Sequence, residues 1–163
     1  MLSLKLKIYL DTSVISFIYA DDAPEKRDIT KDYFEKYIKT KIYEHKISII
    51  VTDELGRTKD KTLRSKLLKV PEDYDLEILS MDPVEEVSFL GNKYIEAGII
   101  PQNKIDDALH VAFCTIHKFD FLLSWNYKHL SNINKEKSFL LKNIELGYLH
   151  TPRLTTPLEV FND

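Results

Sequence analysis

The chain has 163 residues, of which 44% are hydrophobic, and a net charge of −3, which suits one domain spanning residues 1–163 with a substantial core. Its longest apolar runs, such as residues 47–51, are far shorter than the roughly 20 residues that cross a bilayer, so no membrane span is expected. The single Cys114 excludes an internal disulfide and argues against a zinc-thiolate site, which favours a cytoplasmic protein.

Charge is distributed unevenly along the chain. The first 70 residues carry 15 Lys or Arg against 11 Asp or Glu, whereas the remainder carry 8 against 15. In the stretch 57–69 only Asp60 opposes the basic residues, which are Arg57, Lys59, Lys61, Arg64, Lys66 and Lys69. Two interpretations of this stretch are open. It is either the solvated face of an amphipathic helix or a surface that contacts phosphates.

The first half of the chain alternates short apolar strands with helical patterns. The predicted elements are a strand at 7–10, a short helix at 13–20, a long amphipathic helix from Pro24 to about Glu44, a second strand at 46–51, a short helical segment carrying Asp53 and Glu54, and the basic helix at 57–69. No Pro, Gly or Ser linker divides them.

The second half continues the same alternation. Its predicted elements are a strand at 76–80, a helix with Asp82 as N-cap and Pro83 at its first position that stops at Gly98, a helix at 103–117, a strand at 119–125, a helix at about 134–146 and a strand near 148–154. Strands separated by helices pair in parallel through right-handed crossovers. The sequence therefore predicts an α/β fold, with helices covering both faces of a parallel sheet.

Acidic or amide side chains recur where the predicted strands end. They are Asp11 after the first strand, Asp53 and Glu54 after the second, Asn126 after the fourth, and Asp106 and Asp107 at the start of the helix that leads into the fourth. Each residue alone also suits a helix cap or a first helical turn. Because ligands gather at the carboxyl ends of parallel strands, we expect these side chains to share one rim of the sheet.

Three capping residues in a row, Asp11, Thr12 and Ser13, follow the first strand. Helix capping does not explain why all three occur together. Carboxylates that gather at one rim repel one another and raise each other's pKa values, unless a divalent cation lies among them. Oxygen ligands around open positions suit Mg²⁺ or Mn²⁺, so the sequence predicts a site for one of these ions.

Histidine contributes no recognisable metal-binding pattern. His110 and His129 have no His-x-x-x-His or His-x-His spacing, and no Cys pair accompanies them. We therefore expect no zinc site, and we expect each histidine to be a surface group or a support for a neighbouring ligand.

Four separated motifs, in this order, resemble the PIN domain family, the metal-dependent nuclease fold of VapC-type toxins. The motifs are "YLDTSVIS", the Glu of "VTDEL", "DDALHVAFC" and "FDFLLSWNYKHL". The resemblance extends from residue 7 to about residue 160. It implies a three-layer α/β/α fold, a central parallel sheet with strand order 3-2-1-4-5, and an acidic pocket.

The resemblance also implies roles for individual residues. Asp11 is similar to the first pocket acid, with Thr12 or Ser13 as the adjacent hydroxyl. Glu54, followed by Leu as in the family's "EL" element, matches the second acid, and Asp107 in "DALHVA" matches the third.

Alternatives remain at the adjacent acidic positions. Neighbouring helical side chains differ in direction by about 100°, so Asp106 is an alternate for Asp107 and Asp53 for Glu54; only the motif selects between them. Asn126 falls where the family has a fourth Asp or, often in toxin-like members, an Asn. The resemblance implies that Asn126 is a fourth catalytic and metal-binding residue.

The activity that the resemblance implies is a Mg²⁺- or Mn²⁺-dependent endoribonuclease. It would hydrolyse phosphodiester bonds in single-stranded or loop RNA, with the basic stretch 57–69 holding the RNA backbone. The toxin of a toxin–antitoxin pair is one role within this family, so an antitoxin protein and a second copy of this chain are the protein partners to consider.

Two other functions remain open at this point. The first is a catalytically inactive PIN-like module that binds RNA or protein, which would be consistent with Asn126. The second is a phosphatase of the haloacid-dehalogenase type, which also places Asp after its first strand. That type needs a second Asp two residues later, where this chain has Ser13.

Overall fold

One parallel sheet organises the part of the chain, residues 5–159, that the computed structural model describes. Its strands are β1 (Lys7–Leu10), β2 (Glu44–Ser48), β3 (Glu77–Leu79), β4 (Phe121–Leu123) and β5 (Arg153–Thr155). They lie in the order β3-β2-β1-β4-β5, and every neighbouring pair is parallel. The predicted fold class and strand order are therefore confirmed.

Helices connect the strands and flank the sheet. They are α1 (Thr12–Ser16), α2 (Pro24–Tyr33), α3 (Ile49–Gly56), α4 (Lys61–Asp73), α5 (Val84–Glu96), α6 (Ile105–Ile116) and α7 (Ile133–Glu145). Short 3₁₀ turns at Phe17–Tyr19 and Gln102–Lys104 precede or follow helices, and a π-helical turn at Phe34–Ile38 extends α2. None of the helices within residues 5–159 is long and apolar enough to cross a membrane.

The predicted boundary between the second strand and the next helix is wrong. The strand ends at Ser48, and residues 49–51 begin α3 instead of completing the strand. Ser48 caps this helix, because its hydroxyl oxygen accepts a hydrogen bond from the backbone N–H of Ile50 at 3.2 Å. Capping thus overrides the β-propensity of the apolar run.

Two other predicted helix ends also differ. The long helix stops at Ile38, and Lys41 adopts a positive φ of 59°, so the chain turns before Glu44 enters β2. Asp82 is not the cap of α5, whose N-cap is Pro83. The Asp82 carboxylate instead accepts a hydrogen bond from the Ser80 hydroxyl at 3.1 Å.

The central strand β1 carries the core. Its residues Ile8, Tyr9 and Leu10 are completely buried, as expected for a parallel strand paired on both sides. The ring of Tyr9 lies 5.6 Å from that of Phe113 on α6 and 5.5 Å from that of Phe119, measured between centroids. These contacts hold α6 against β1 and so determine where the residues at the start of α6 lie.

A buried polar cluster joins three helices away from the end of β1. Asn143 on α7 accepts a hydrogen bond from the Tyr94 hydroxyl of α5 at 2.5 Å. Its amide nitrogen donates to Thr115 on α6 at 3.1 Å and to Thr151 at 2.8 Å. Asn143 is fully buried, so these bonds offset the cost of removing its amide from water.

We expect Asn143→Ala to lower the free energy of unfolding by about 2–4 kcal/mol, because it leaves the Tyr94 and Thr115 hydroxyls buried with fewer partners. Urea denaturation measures this change. Ile144→Ala on the same helix is the control, since Ile144 is 55% exposed and its truncation should cost about 0.5 kcal/mol or less. Equal effects of the two substitutions would contradict the prediction.

Candidate functional site

Asp11 lies directly after β1 and is the N-cap of α1. Its backbone N–H donates to the carbonyl of Leu123 at 3.1 Å, which ties it to β4. One carboxylate oxygen accepts from the Ser13 hydroxyl at 2.6 Å and from the backbone N–H of Val14 at 3.3 Å. The other accepts from the Ser124 hydroxyl at 2.6 Å. A single carboxylate thus caps a helix and occupies the carboxyl end of the central strand.

Glu54, on α3, comes to the same end of the sheet. Its Oε1 accepts hydrogen bonds from the Thr12 hydroxyl at 2.7 Å and from Nε2 of His110 at 2.5 Å. Burial raises the pKa of Glu54, but the hydrogen bond and charge of His110, with the Thr12 bond, outweigh it and leave the pKa lowered. The neighbouring Asp53 is exposed, so the fold brings Glu54 and not Asp53 into this cluster.

Asp107, in the first turn of α6, is the third carboxylate of the cluster. Burial raises its pKa to about 6, with further increases from the charges of Asp11 and Glu54. Burial likewise raises the pKa of Asp11, although His110, Ser124 and Ser13 partly offset it. The charges of Asp11 and Glu54 act on Asp107, and Thr12, which follows Asp11, donates to Glu54, so the three carboxylates lie near one another.

Asn126 contacts Asp107, but through its amide nitrogen. Its Nδ2 donates to Oδ2 of Asp107 at 3.1 Å, and its Oδ1 accepts from the backbone N–H of His129 at 3.1 Å. In this arrangement the Asn126 amide nitrogen contacts Asp107, while its oxygen, the atom that a metal ligand requires, accepts from the backbone. Asp106 is held elsewhere, because its carboxylate pairs with the Arg57 guanidinium at 2.9 Å.

Two further side chains belong to the site. For His110 the sequence left open a surface position or support of a neighbouring ligand; it is 1% exposed and lies between Tyr9 and Glu54, so only the surface alternative is wrong. Its position three residues after Asp107 places it on the neighbouring turn of the same helix, which was the available signal. The second side chain is Ser124, which follows β4 as Asp11 follows β1. Because Leu10 pairs with Leu123, Ser124 and Asp11 are neighbours.

The basic stretch does not form one helix as predicted. Arg57 is the C-cap of α3, and Lys59 lies between α3 and α4, because Asp60 caps α4 and the helix begins at Lys61. Arg64 is half-buried and donates to the carbonyl of Thr58 at 3.2 Å. The remaining basic side chains of α4 are exposed, namely Lys61, Lys66 and Lys69.

The donor chemistry of the acidic cluster fits a hard divalent cation. Among residues 5–159, Oε2 of Glu54 and Oδ1 of Asp107 make no hydrogen bond to protein, so each keeps its lone pairs for another ligand. Burial is the largest cause of the raised pKa values of Asp11 and Asp107, neighbouring carboxylates add to it, and a cation beside them would favour their ionised forms. In the same described part of the chain, no three Asp, Glu, His or Cys side chains already converge at ligand distance.

Comparison with known proteins identifies the family. The family model for the PIN domain matches residues 8–135. The chain belongs to the PIN domain family. The resemblance seen in the four motifs is thereby confirmed, and the haloacid-dehalogenase alternative is set aside. No curated protein is similar enough to match the chain.

Solved structures agree on the fold. This PIN domain is similar to a chain of VapBC2 from Rickettsia felis bound to a DNA fragment from their promoter, with 16% identity, a TM-score of 0.52, and coverage of 76% of this chain and 90% of that chain. It is also similar to a chain of FitAB bound to IR36 DNA fragment, with 16% identity, a TM-score of 0.56, and coverage of 92% and 94%. At this identity the likeness shows a shared fold.

The raised pKa of Asp107 predicts a pH-dependent gain in stability for Asp107→Asn in metal-free buffer. The folded-state pKa of about 6 exceeds the ordinary value of 3.8, so the ionised carboxylate destabilises the fold fully above pH 6 and not at all well below pH 4. We expect the substitution to raise the free energy of unfolding by about 1–2 kcal/mol near pH 8, and by about a third of that near pH 4.5.

Urea denaturation in EDTA at both pH values measures this gain. Asp106→Asn is the matched control, because it removes the adjacent carboxylate, which is paired with Arg57, and should give no gain at either pH. An equal gain from both substitutions, or a gain that does not change with pH, would contradict the prediction.

Proposed function

We propose that this PIN domain is a divalent-metal-dependent endoribonuclease that hydrolyses phosphodiester bonds in single-stranded or loop RNA. The observation that supports the proposal is the placement of Asp11, Glu54 and Asp107 at the carboxyl end of β1, where the charges of Asp11 and Glu54 both raise the pKa of Asp107. Membership of the family supports it, since PIN domains are generally nucleases.

The roles of the three acids follow from their hydrogen bonds. Glu54 and Asp107 each have one carboxylate oxygen with no protein partner within residues 5–159, so these oxygens would hold Mg²⁺ or Mn²⁺. Ser13 and Ser124 hold the Asp11 carboxylate in place from two sides. When bound, the cation supplies positive charge to a phosphodiester oxygen and makes a water more acidic.

Asn126 acts on Asp107 in this proposal. Its amide donates to Oδ2 of Asp107, so Oδ1 is left to face the pocket. This role replaces the fourth oxygen ligand that the family resemblance implied.

Arg57 and the exposed lysines of α4 would bind the phosphates that flank the cleaved bond, since α3 carries both Glu54 and the Arg57 cap.

A binding module without turnover is the second candidate. The observation that favours it is the hydrogen-bonded state of the cluster, in which Asp11 has both oxygens occupied and Asn126 provides no fourth carboxylate.

The biological setting that we favour is a toxin restrained by an antitoxin, because two structures that share this fold are the named complexes VapBC2 and FitAB.

Cleavage of end-labelled mixed RNA by wild type and Asp11→Asn, each with Mg²⁺, Mn²⁺ or EDTA, tests the enzyme directly. We expect metal-dependent cutting that the substitution lowers by roughly 100-fold or more, because it removes one negative charge from the three proposed to attract the cation. Asp53→Asn removes an exposed neighbouring carboxylate and should keep activity within about twofold. A folded wild type that binds Mn²⁺ and RNA without cutting would instead support the binding module.

Reversing the charge of Lys61, Lys66 and Lys69, the exposed lysines of α4, should weaken RNA binding and its dependence on salt. For single strands each lost phosphate contact lowers the slope of log K against log salt by about 0.7, so loss of all three lowers it by about 2. Fluorescence anisotropy in a salt series measures the slope. Reversal of Lys31, Lys36 and Lys137, exposed on other elements, makes the same change in net charge and should leave the slope unchanged. Equal slopes for the two triple variants would refute the assignment.

A further inference from the structure

We infer that His110 is a positioning residue, which holds Glu54 so that one carboxylate oxygen is tied to protein and the other faces the pocket. The inference rests on the proposed function, because it concerns how one proposed metal ligand is presented. It goes beyond that function by assigning a task to a buried histidine that lies within the "DDALHVAFC" motif but is not one of its acids.

A continuous chain of hydrogen bonds leads to Glu54 through the core. Ser48, at the end of β2, has its hydroxyl 2.7 Å from the hydroxyl of Tyr9 on β1. The Tyr9 hydroxyl lies 2.7 Å from Nδ1 of His110, and Nε2 of His110 lies 2.5 Å from Oε1 of Glu54. Ser48, Tyr9 and His110 are each 1% exposed or less, so water does not compete for these contacts.

The direction of this chain follows from the donors that each group has. The Glu54 carboxylate can only accept, so Nε2 of His110 carries the hydrogen. In the neutral imidazole Nδ1 then accepts from the Tyr9 hydroxyl, which accepts in turn from the Ser48 hydroxyl. Ser48 also accepts from the backbone N–H of Ile50, so every polar atom of the chain has a partner. A proton added at Nδ1 would reverse the Tyr9 contact but would leave the bond to Glu54 in place.

Both donors to Glu54 converge on one oxygen. The Thr12 hydroxyl reaches Oε1 from α1, and the His110 imidazole reaches it from α6. Two donors from different helices restrict rotation of the carboxylate more than either does alone. Oε2, which has no protein hydrogen bond within the described residues, is left as a single oxygen of defined direction, as a metal that keeps several waters requires.

A simpler explanation is that His110 is a core residue whose two nitrogens happen to be satisfied. Two substitutions separate this explanation from a positioning role. In His110→Gln the side-chain amide nitrogen reaches about as far as Nε2 and can donate to Glu54, while the contact with Tyr9 is lost. In His110→Asn the shorter amide reaches about as far as Nδ1, so it can accept from Tyr9 but cannot reach Glu54.

The experiment measures Mn²⁺ affinity by electron paramagnetic resonance without RNA, and kcat and KM for RNA cleavage, in the wild type and both variants. We expect the Gln variant to stay within about threefold of the wild type in all three quantities. The Asn variant should bind Mn²⁺ about 10- to 100-fold more weakly and lose kcat by a similar factor, with KM little changed. Urea denaturation should show a comparable loss of stability in both variants, since each creates a small buried defect.

The outcomes distinguish this inference from the proposed function. Equal Mn²⁺ affinities in the Asn and Gln variants, whether both normal or both weakened, would overturn the positioning role. They would not contradict the proposed metal site, because the wild type would still bind Mn²⁺. A wild type that binds no Mn²⁺ would overturn the proposed function, and this inference with it.

If neither variant folds, the wild type itself provides the test. Long-range ¹H–¹⁵N spectra of its histidine rings should show a hydrogen on Nε2 of His110, and Tyr9→Phe should shift the Nδ1 signal. A hydrogen on Nδ1 alone would overturn the inference.

Discussion

The burial of the Asp11 carboxylate at the end of the central strand is the constraint on which the rest of the site depends. A charged group that is 3% exposed is tolerated only when its oxygens are hydrogen-bonded, and here Ser13 and Ser124 supply those bonds. Ser124 can do so because β4 lies beside β1 in register. Strand order, register and the state of this carboxylate are therefore parts of one arrangement.

The same crowding of acids that suits metal chemistry works against stability. Burial and mutual repulsion raise the pKa values of Asp11 and Asp107, so their ionised forms are held at a cost. The core offsets this cost through β1, whose apolar residues are fully buried, and through the satisfied polar cluster around Asn143. The ionised carboxylates of the site therefore destabilise the fold, whereas the buried core and the hydrogen bonds around Asn143 stabilise it.

Most of the fold was predictable, because alternating strand and helix patterns admit few connections. The family motifs imply the strand order, and right-handed crossovers agree with it. The errors lie where one polar side chain decides a boundary. Ser48 begins α3 three residues before the predicted end of the strand, and Asp82 binds Ser80 instead of capping α5. Local propensity does not indicate whether a polar side chain beside a strand end will cap the next helix.

By itself the sequence determined that acids follow the strands, and its motifs singled out Asp11, Glu54 and Asp107 as the proposed pocket. Only the tertiary structure decided which atoms of the site meet. His110 reaches Glu54 across 56 residues of sequence and Ser124 reaches Asp11 across 113, and Asn126 presents its amide nitrogen to Asp107. Such contacts depend on the packing of α6 against β1 and on the register of β4. Both arise from long-range burial, which the sequence near each residue does not record.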